Sequence, residues 1–220
     1  MAAPLTPTPR TRVKRIHERG RYDRETVYAI LDAGVICHVG YVIDDHPYVT
    51  PTSYWRQGDR LYWHGSSASR MLRHLKQEVP VCVEVTHFDG FVLARSGFHH
   101  SINYRSVMAF GHARLVPEDE KLAALEDFVE RLFPGRWAEL RPPTRQEVKA
   151  TTVLRMALDE VSAKVRTGPP KDDEEDYALP IWAGVLPVTT LVGAPQPDPR
   201  LGSGTPLPRY LTRSPEPASS

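Results

Sequence analysis

Hydrophobic and β-branched residues fall along this chain in short runs at hairpin spacing, separated by polar turn sequences. The first runs, over residues 35–43, 47–55 and 60–65, are rich in β-branched and aromatic residues, with the turn-like sequences DDHP and RQGD at their junctions. This pattern predicts a three-stranded antiparallel meander. Similar runs predict further strands over residues 79–95, 104–116, 151–165 and 181–192.

Helices are predicted between the strands wherever apolar residues recur at helical spacing. Residues 22–32 place Val27, Ile30 and Leu31 on one face, and Gly34 is a plausible stop signal. Three further helices are predicted over residues 66–77, over residues 117–132 and after Thr144, which forms a capping-box pattern with Glu147. Because strands dominate, the predicted fold is mainly β, a six- or seven-stranded antiparallel barrel with peripheral helices. An α+β sandwich is the alternative.

Proline is concentrated at the two ends of the chain. Of the 21 prolines, three lie in the first ten residues and seven between Pro195 and Pro217, in segments with few apolar residues to offset the entropy of ordering them. We therefore expect an N-terminal arm over residues 1–20, one domain over residues 21–193 and a Pro-rich tail over residues 194–220. A dimer partner could order either arm, since Pro-rich segments lose little entropy on docking.

Composition narrows the class of protein. The 28 Lys and Arg balance 27 Asp and Glu, so the broad basic footprint of a nucleic-acid-binding protein is absent. Two cysteines support neither a disulfide framework nor a cysteine-based metal site, and no apolar run approaches the roughly 18 residues of a membrane span. The basic start lacks the apolar core of a secretory signal. These observations predict a soluble, cytoplasmic domain with no nucleic-acid or membrane partner.

The segment WHGSSASR, residues 63–70, is the most informative one for chemistry. It predicts a strand that enters a Gly-Ser corner and then a helix with Arg70 in its first turn. Helix N–H groups, serine hydroxyls and a guanidinium together suit an anion, best a phosphate. The alternative is that Ser66 or Ser67 only caps the helix and Arg70 is solvated.

Other reactive residue types give weaker signals. His99 and His100 are adjacent, but neighbouring strand residues point to opposite faces, so no metal site is predicted. Cys37 and Cys82 lie in apolar strands, where a free cysteine usually packs as a small hydrophobe. The basic residues between Arg10 and Arg19 are expected to form a solvated arm.

Four segments, taken in order, resemble the flavin-nucleotide-binding, pyridoxamine 5'-phosphate oxidase-like superfamily, near its nitroimidazole-resistance branch. They are RYDRETVYAILDAGVICHVGYVIDDHPYVTPTSYW, LYWHGSSASRML, HHSINYRSVMAFGHARLV and WAGVLPV. The resemblance covers about residues 21–192. It implies a split β-barrel, a homodimer, and FMN held at the subunit interface.

The resemblance also implies a set of cofactor contacts. Ser69 and Arg70 match the family's phosphate motif, although Met71 replaces its lysine, and Tyr48 and Ser53 stand where the oxidases carry basic residues. The expected contacts with the cofactor are Thr50, Pro51, Thr52, Ser53, His64, Ser66, Ser67, Ser69, Arg70, Arg105, Ser106 and Trp182. Trp182 would pack near the flavin from the partner subunit.

One departure from the family narrows the expected function. The vitamin oxidases carry a basic element after this tryptophan, whereas residues 183–199 contain no Arg, Lys or His, so vitamin B6 oxidation is not expected. The leading hypothesis is an FMN-binding oxidoreductase that passes electrons between a reduced nicotinamide and a small acceptor, with no side chain assigned as catalytic. The alternative is a protein that binds or senses a flavin, a deazaflavin or heme without turnover. In a third hypothesis, the Pro-rich tail recruits protein partners.

Overall fold

Ten strands and four α-helices form the part of the chain that the computed structural model describes, residues 5–211. The strands are β1 Gly20–Arg21, β2 Ile36–Ile43, β3 His46–Gln57, β4 Arg60–Ser66, β5 Pro80–Leu93, β6 Ser101–His112, β7 Arg114–Leu115, β8 Thr151–Ala157, β9 Glu160–Arg166 and β10 Gly184–Pro187. The helices are α1 Arg24–Ala33, α2 Arg70–Leu75, α3 Lys121–Leu132 and α4 Arg145–Ala150.

The strands form one antiparallel sheet in the order β1-β9-β6-β5-β2-β3-β4-β8-β7, and β10 pairs with the last part of β5. The long strand β3 joins two halves of this sheet, because it pairs with β2 up to Ser53 and with β4 from Tyr54 onward. The prediction of a mainly β, antiparallel split barrel is confirmed. The number of strands is ten rather than six or seven.

Two apolar clusters hold the sheet in this shape. The larger fills the barrel and includes Trp63, Leu154 and the α1 residues Val27, Ile30 and Leu31, each at most 2% exposed. The smaller lies under α3 on the other face of β4 and β8, around Trp55, Tyr62 and Val153. Strand β4 therefore buries side chains on both of its faces, which explains its run of three apolar residues, Leu61, Tyr62 and Trp63.

The predicted strand over residues 151–165 is wrong in one respect, because it is a hairpin. Strand β8 ends at Ala157 and β9 begins at Glu160, and the turn between them is anchored by a hydrogen bond from Leu158 N to Asp59 O at 2.9 Å. No Gly or Pro marks this turn, so its local signal was weak. The short strand β1 was not predicted, and the last predicted strand is limited to Gly184–Pro187.

Strand β5 pairs with β6 along one edge, and along the other edge it pairs first with β2 and then with β10. A bulge shifts the register of the pairing with β6 between Phe88 and Gly90, where the pairing with β10 begins. A Cβ added at Gly90 would lie only 2.7 Å from the carbonyl oxygen of Leu186. Glycine is therefore required for β10 to approach this closely.

The described part of the predicted N-terminal arm packs against the barrel of its own subunit. Leu5 is 5% exposed within the core cluster, and both Thr8 and Arg10 hydrogen-bond to Glu160 of β9. The predicted tail is mostly exposed up to Tyr210, which donates a hydrogen bond to Glu139 at 2.6 Å. Residues 1–4 and 212–220 of these two segments lie outside the described residues. No helix within residues 5–211 is long and apolar enough to cross a membrane.

Candidate functional site

Several backbone N–H groups in the corner between β4 and α2 form hydrogen bonds within the subunit. Ser69, rather than Ser66 or Ser67, caps α2 by accepting a hydrogen bond from Leu72 N at 3.5 Å. The N–H of Ser67 donates to the carbonyl of Ala150 at 2.8 Å, and that of Ser69 donates to the carbonyl of Ser66 at 2.9 Å. The N–H groups of Ser67 and Ser69 are therefore not free for an anion, and Arg70 supplies the positive charge at this corner.

Arg70 is linked to strand β3 through two aromatic rings. Its guanidinium carbon lies 4.7 Å from the centre of the Tyr48 ring, a cation–π contact. Tyr48 stacks on Tyr41 with ring centres 5.5 Å apart, and the Tyr41 hydroxyl lies 2.9 Å from Thr50 Oγ1. Among residues 5–211, no carboxylate forms an ion pair with Arg70. The structure thus places the predicted phosphate ligand Arg70 close to the predicted contact Thr50, with its charge available.

The predicted contacts on β3 do not share one face of the sheet. Thr50 and Thr52 stand opposite Val39 and Cys37 of β2, whose side chains point into the core. Pro51 and Ser53 alternate with them and therefore point to the outer face. A ligand that contacts all four residues would have to meet both side chains and backbone of β3.

The outer face of the sheet carries exposed apolar side chains. Ile36, Val42, Val49 and Met108 are 57, 53, 68 and 44% exposed. The first three lie on the paired strands β2 and β3, and Met108 lies on β6, on the far side of β5. His38 of β2 stands opposite Pro51 on one side and Glu84 on the other, and its Nδ1 lies 3.4 Å from Glu84 Oε2. Several exposed apolar side chains on one face of a folded domain indicate a contact surface for a partner or a ligand.

Arg105 of β6 is already paired within the subunit. Its Nε and Nη2 donate to the two carboxylate oxygens of Asp89 at 2.9 and 2.8 Å. This hydrogen-bonded pair raises the pKa of Arg105 above its ordinary value. Ser106, the next residue, donates to the carbonyl of Lys164 at 3.4 Å. The prediction that Arg105 contacts a cofactor therefore requires the guanidinium to leave Asp89 or to bind through its remaining N–H.

His64 lies apart from the serine corner. Its ring packs 4.6 Å from Phe128 and 5.8 Å from Trp55, measured between ring centres, on the face of β4 covered by α3. Burial lowers the pKa of His64, and its Nδ1 is buried without a hydrogen-bond partner. We therefore leave His64 out of the proposed site.

Trp182 stands just before β10 and is 66% exposed. Its indole covers Gly184, where an added Cβ would lie 3.0 Å from the ring. The side chain is thus supported on one side and open on the other. An aromatic surface of this kind is available to a ligand or to a second subunit.

The cysteines and histidines show no metal centre. Burial raises the pKa of the Cys37 thiol to about 12, which keeps it protonated, and burial also raises the pKa of Cys82. His99 Nε2 lies 3.2 Å from Asp173, and His100 Nδ1 lies 2.9 Å from the carbonyl of Ser96. Across residues 5–211, no group of three or more His, Cys, Asp and Glu side chains is arranged to hold a metal ion.

A second cluster of charged residues was missed by sequence reasoning. The N-terminal arm brings Arg15 and Arg19 to the end of β9, where they line a pocket with Arg166. The sequence indicated only a solvated basic arm at this point. The signal that could have located the pocket is the Asn103 of the HHSINYRS segment, because its amide holds Arg166.

Comparison with known proteins identifies the relatives of this chain. The sequence profile of the family described as pyridoxamine 5'-phosphate oxidase matches residues 23–165. The structure resembles the flavocytochrome Anf3 from Azotobacter vinelandii, with 49% identity, a TM-score of 0.90, and coverage of 94% of this chain and 97% of that one. It also resembles an FAD and heme binding protein from Mycobacterium smegmatis, with 42% identity, a TM-score of 0.85, and coverage of 88% and 95%.

A more distant structure shows the fold alone. A candidate 5-nitroimidazole antibiotic resistance protein from Bacteroides thetaiotaomicron is 21% identical, with a TM-score of 0.55 over 65% of this chain and 84% of that one. No curated protein matches the sequence. The profile covers more than half of the chain, and the barrel is the one that the sequence resemblance implied. The chain therefore belongs to the pyridoxamine 5'-phosphate oxidase family.

Proposed function

We propose that this chain is a flavin-dependent oxidoreductase that acts as a homodimer, with the flavin nucleotide at the subunit interface. The observation that carries the proposal is the similarity over almost the whole chain to a flavocytochrome at 49% identity. The sequence resemblance implies FMN. The similarity to a protein named for FAD binding supports FAD instead. We therefore propose FAD as the cofactor, with FMN as the alternative.

The residues at the β4–α2 corner fit a phosphate of the flavin nucleotide. Arg70 carries a charge that no carboxylate within residues 5–211 neutralises, and the Tyr48 ring holds its guanidinium beside β3. The hydroxyl groups of Ser67 and Ser69 lie in the same turn. Guanidinium groups with neighbouring hydroxyl donors suit phosphate oxygens.

The outer sheet face supports both the dimer and the position of the ring system. The exposed apolar residues Ile36, Val49 and Met108 would be covered by a second subunit, and Pro51 and Ser106 lie on that same face. A ligand between two such faces would be shielded from water. When bound, a flavin supplies hydride chemistry with a nicotinamide and one-electron chemistry with other acceptors. The chain contributes binding, orientation and exclusion of water, and we propose a reduced nicotinamide as donor and a small molecule as acceptor.

The test begins with the absorption spectrum of the purified protein. We expect flavin absorbance, release of FAD rather than FMN on denaturation, and bleaching of the flavin band on anaerobic mixing with reduced nicotinamide. A colourless protein that gains no flavin absorbance with added FAD or FMN would overturn the proposal. A flavin that binds but is reduced by neither NADH nor NADPH would favour the non-catalytic alternative.

Heme is a second candidate cofactor. One similar structure is named a flavocytochrome, and the other is named an FAD and heme binding protein. In each of three histidines, one ring nitrogen forms a hydrogen bond with a backbone carbonyl. These are His46, His87 and His100, with distances of 2.6, 2.9 and 2.9 Å. This arrangement leaves the second ring nitrogen for a metal, as in many metal-binding histidines. The donor chemistry therefore fits a heme iron. A Soret band in the purified protein, lost in one of the three His→Ala variants, would support it, and a spectrum with no Soret band after growth with added heme precursor would exclude it.

A further inference from the structure

A pocket of about 470 Å³ lies where the N-terminal arm crosses the end of β9 and the loop before β6. We call it the basic pocket, because its walls carry five cationic side chains and one carboxylate, that of Glu18. The cationic side chains are those of Arg15, Arg19, Arg21, Arg166 and Lys171. None of the five forms an ion pair with a carboxylate of residues 5–211.

Arg166 is the buried member of this set. The residue is 8% exposed, its Nη1 donates to Asn103 Oδ1 and to Gly168 O, and its Nε is buried without a hydrogen-bond partner. Burial lowers the pKa of Arg166, and the charge of Arg19 lowers it further. A buried guanidinium held only by neutral groups is costly unless an anion compensates it.

Two acidic residues of the neighbouring loop, Asp172 and Asp173, contact other side chains. Asp172 is bound by Arg95, through Nη1 at 2.8 Å and through the backbone N–H at 3.0 Å, and its side chain is fully buried. Asp173 lies 3.2 Å from His99. Neither carboxylate forms an ion pair with Arg166.

We propose that the basic pocket binds the phosphate groups of a nucleotide, with a pyrophosphate as the core of the recognised group. Guanidinium forks match phosphate oxygens, and an excess of several positive charges suits a group with more than one negative charge. The volume lies in the range of small-molecule sites, which is about 300–1,000 Å³. A long polyanion fits less well, because the whole chain has a net charge of only +1.

Two sources could supply this pyrophosphate, the adenylate half of a flavin dinucleotide or a free dinucleotide such as a nicotinamide cofactor. The inference does not rest on the proposed flavin function, because the charges and burial of this pocket carry it. If the protein binds no flavin but binds ADP through Arg166, the flavin proposal is wrong and the present proposal is supported.

The experiment titrates ADP and inorganic pyrophosphate into the purified full-length protein at low salt, by calorimetry and by flavin fluorescence. Arg166→Gln should weaken binding about 10- to 150-fold, as expected for a lost charge-assisted contact. Arg19→Gln should weaken it about tenfold and, because it lies in the arm rather than in a strand, it tests the site even if Arg166→Gln fails to fold. Arg145→Gln, an exposed arginine of α4, is the charge-matched control and should change binding less than twofold.

Each outcome has a defined meaning. Binding of ADP with release of flavin identifies the adenylate half of FAD, and binding without release identifies a free nucleotide; both support the proposal. No ADP binding, together with unchanged flavin retention in Arg166→Gln and Arg19→Gln, overturns it. Equal losses in the Arg145→Gln control, or loss of a Soret band in Arg166→Gln with unchanged ADP affinity, also overturn it.

Discussion

Arg105 and Arg166 lie on neighbouring strands, one register position apart, but differ in what surrounds their charges. In the ladder between β6 and β9, Tyr104 stands opposite Arg166, and Arg105 stands opposite Val165. Arg105 is fully paired by the carboxylate of Asp89, and this pair raises its pKa. Arg166 has only the amide oxygen of Asn103 and a backbone carbonyl, and burial lowers its pKa.

The comparison distinguishes an arginine that is neutralised within the subunit from one that is not. Arg105 was the expected cofactor contact because of its position in a family-like segment, yet its guanidinium serves to join β5 and β6. No sequence motif marks Arg166, although it is a buried arginine without a carboxylate partner among residues 5–211. A buried cation without a carboxylate partner is a candidate binding site for an anion.

The largest expected effect comes from removing the amide that holds Arg166. Asn103→Leu leaves a buried guanidinium with one weak acceptor, and we expect the free energy of unfolding to fall by about 3 kcal/mol. Urea unfolding measures this loss. Asn103→Asp is the matched variant: it keeps an acceptor, so it should lose less stability, but its carboxylate should pair with Arg166 and weaken ADP binding. Wild-type stability in Asn103→Leu would show that Asn103 does not hold Arg166.

Arg70 provides the second test, because it is an exposed arginine without a carboxylate. Arg70→Ala should weaken flavin binding by about 1.5–3 kcal/mol, or about 10- to 150-fold, with little change in stability. Fluorescence titration with FMN and FAD measures this effect, and Arg145→Ala serves as control. Unchanged affinity for both flavins would move the phosphate site away from the β4–α2 corner.

Asp89→Asn tests the paired arginine. The side chains of Arg105 and Asp89 are 38 and 27% exposed, so solvent screens their attraction. We expect a loss of less than about 1 kcal/mol in the free energy of unfolding. If flavin binding becomes tighter in this variant, the freed Arg105 contacts the cofactor as the family resemblance implied. Weaker flavin binding would instead assign Asp89 a direct role in the site.

The smallest effect concerns the arm that carries Arg15 and Arg19 to the basic pocket. Hydrogen bonds from Arg10, and next from Thr8, lower the pKa of Glu160. Glu160 therefore stabilises the docked arm fully at pH values above the pKa that it has in the unfolded chain, about 4.3. This stabilisation is lost as the pH falls through the lower pKa that Glu160 has in the folded protein. The protection factors of the backbone amides in residues 5–15, corrected for the intrinsic pH dependence of exchange, should fall between pH 6 and pH 3. In Glu160→Gln they should be low at both pH values; wild-type protection factors at pH 6 in that variant would contradict the anchor.

Much of the fold could be predicted from local patterns. The alternation in β2 and β3, the helical face of α1 and the capping box of Thr144 and Glu147 all appear in the structure. The hairpin at Leu158 could not be predicted, because its turn is held by Asp59, a residue distant in the chain. The site residues were only partly predictable: Arg70 and Thr50 come together, whereas Pro51 and Ser53 turn to the opposite face.

The sequence by itself determined the element types, the mainly β class and the family, because periodicity and ordered motifs are properties of neighbouring residues. Tertiary structure decided which charges are neutralised. Arg166 meets Asn103 across 63 positions and Arg10 meets Glu160 across 150, and no local pattern encodes such contacts. Burial then sets the free-energy cost of an unpaired charge. Only the folded chain therefore distinguishes Arg105, which is paired with a carboxylate, from Arg166, which is not.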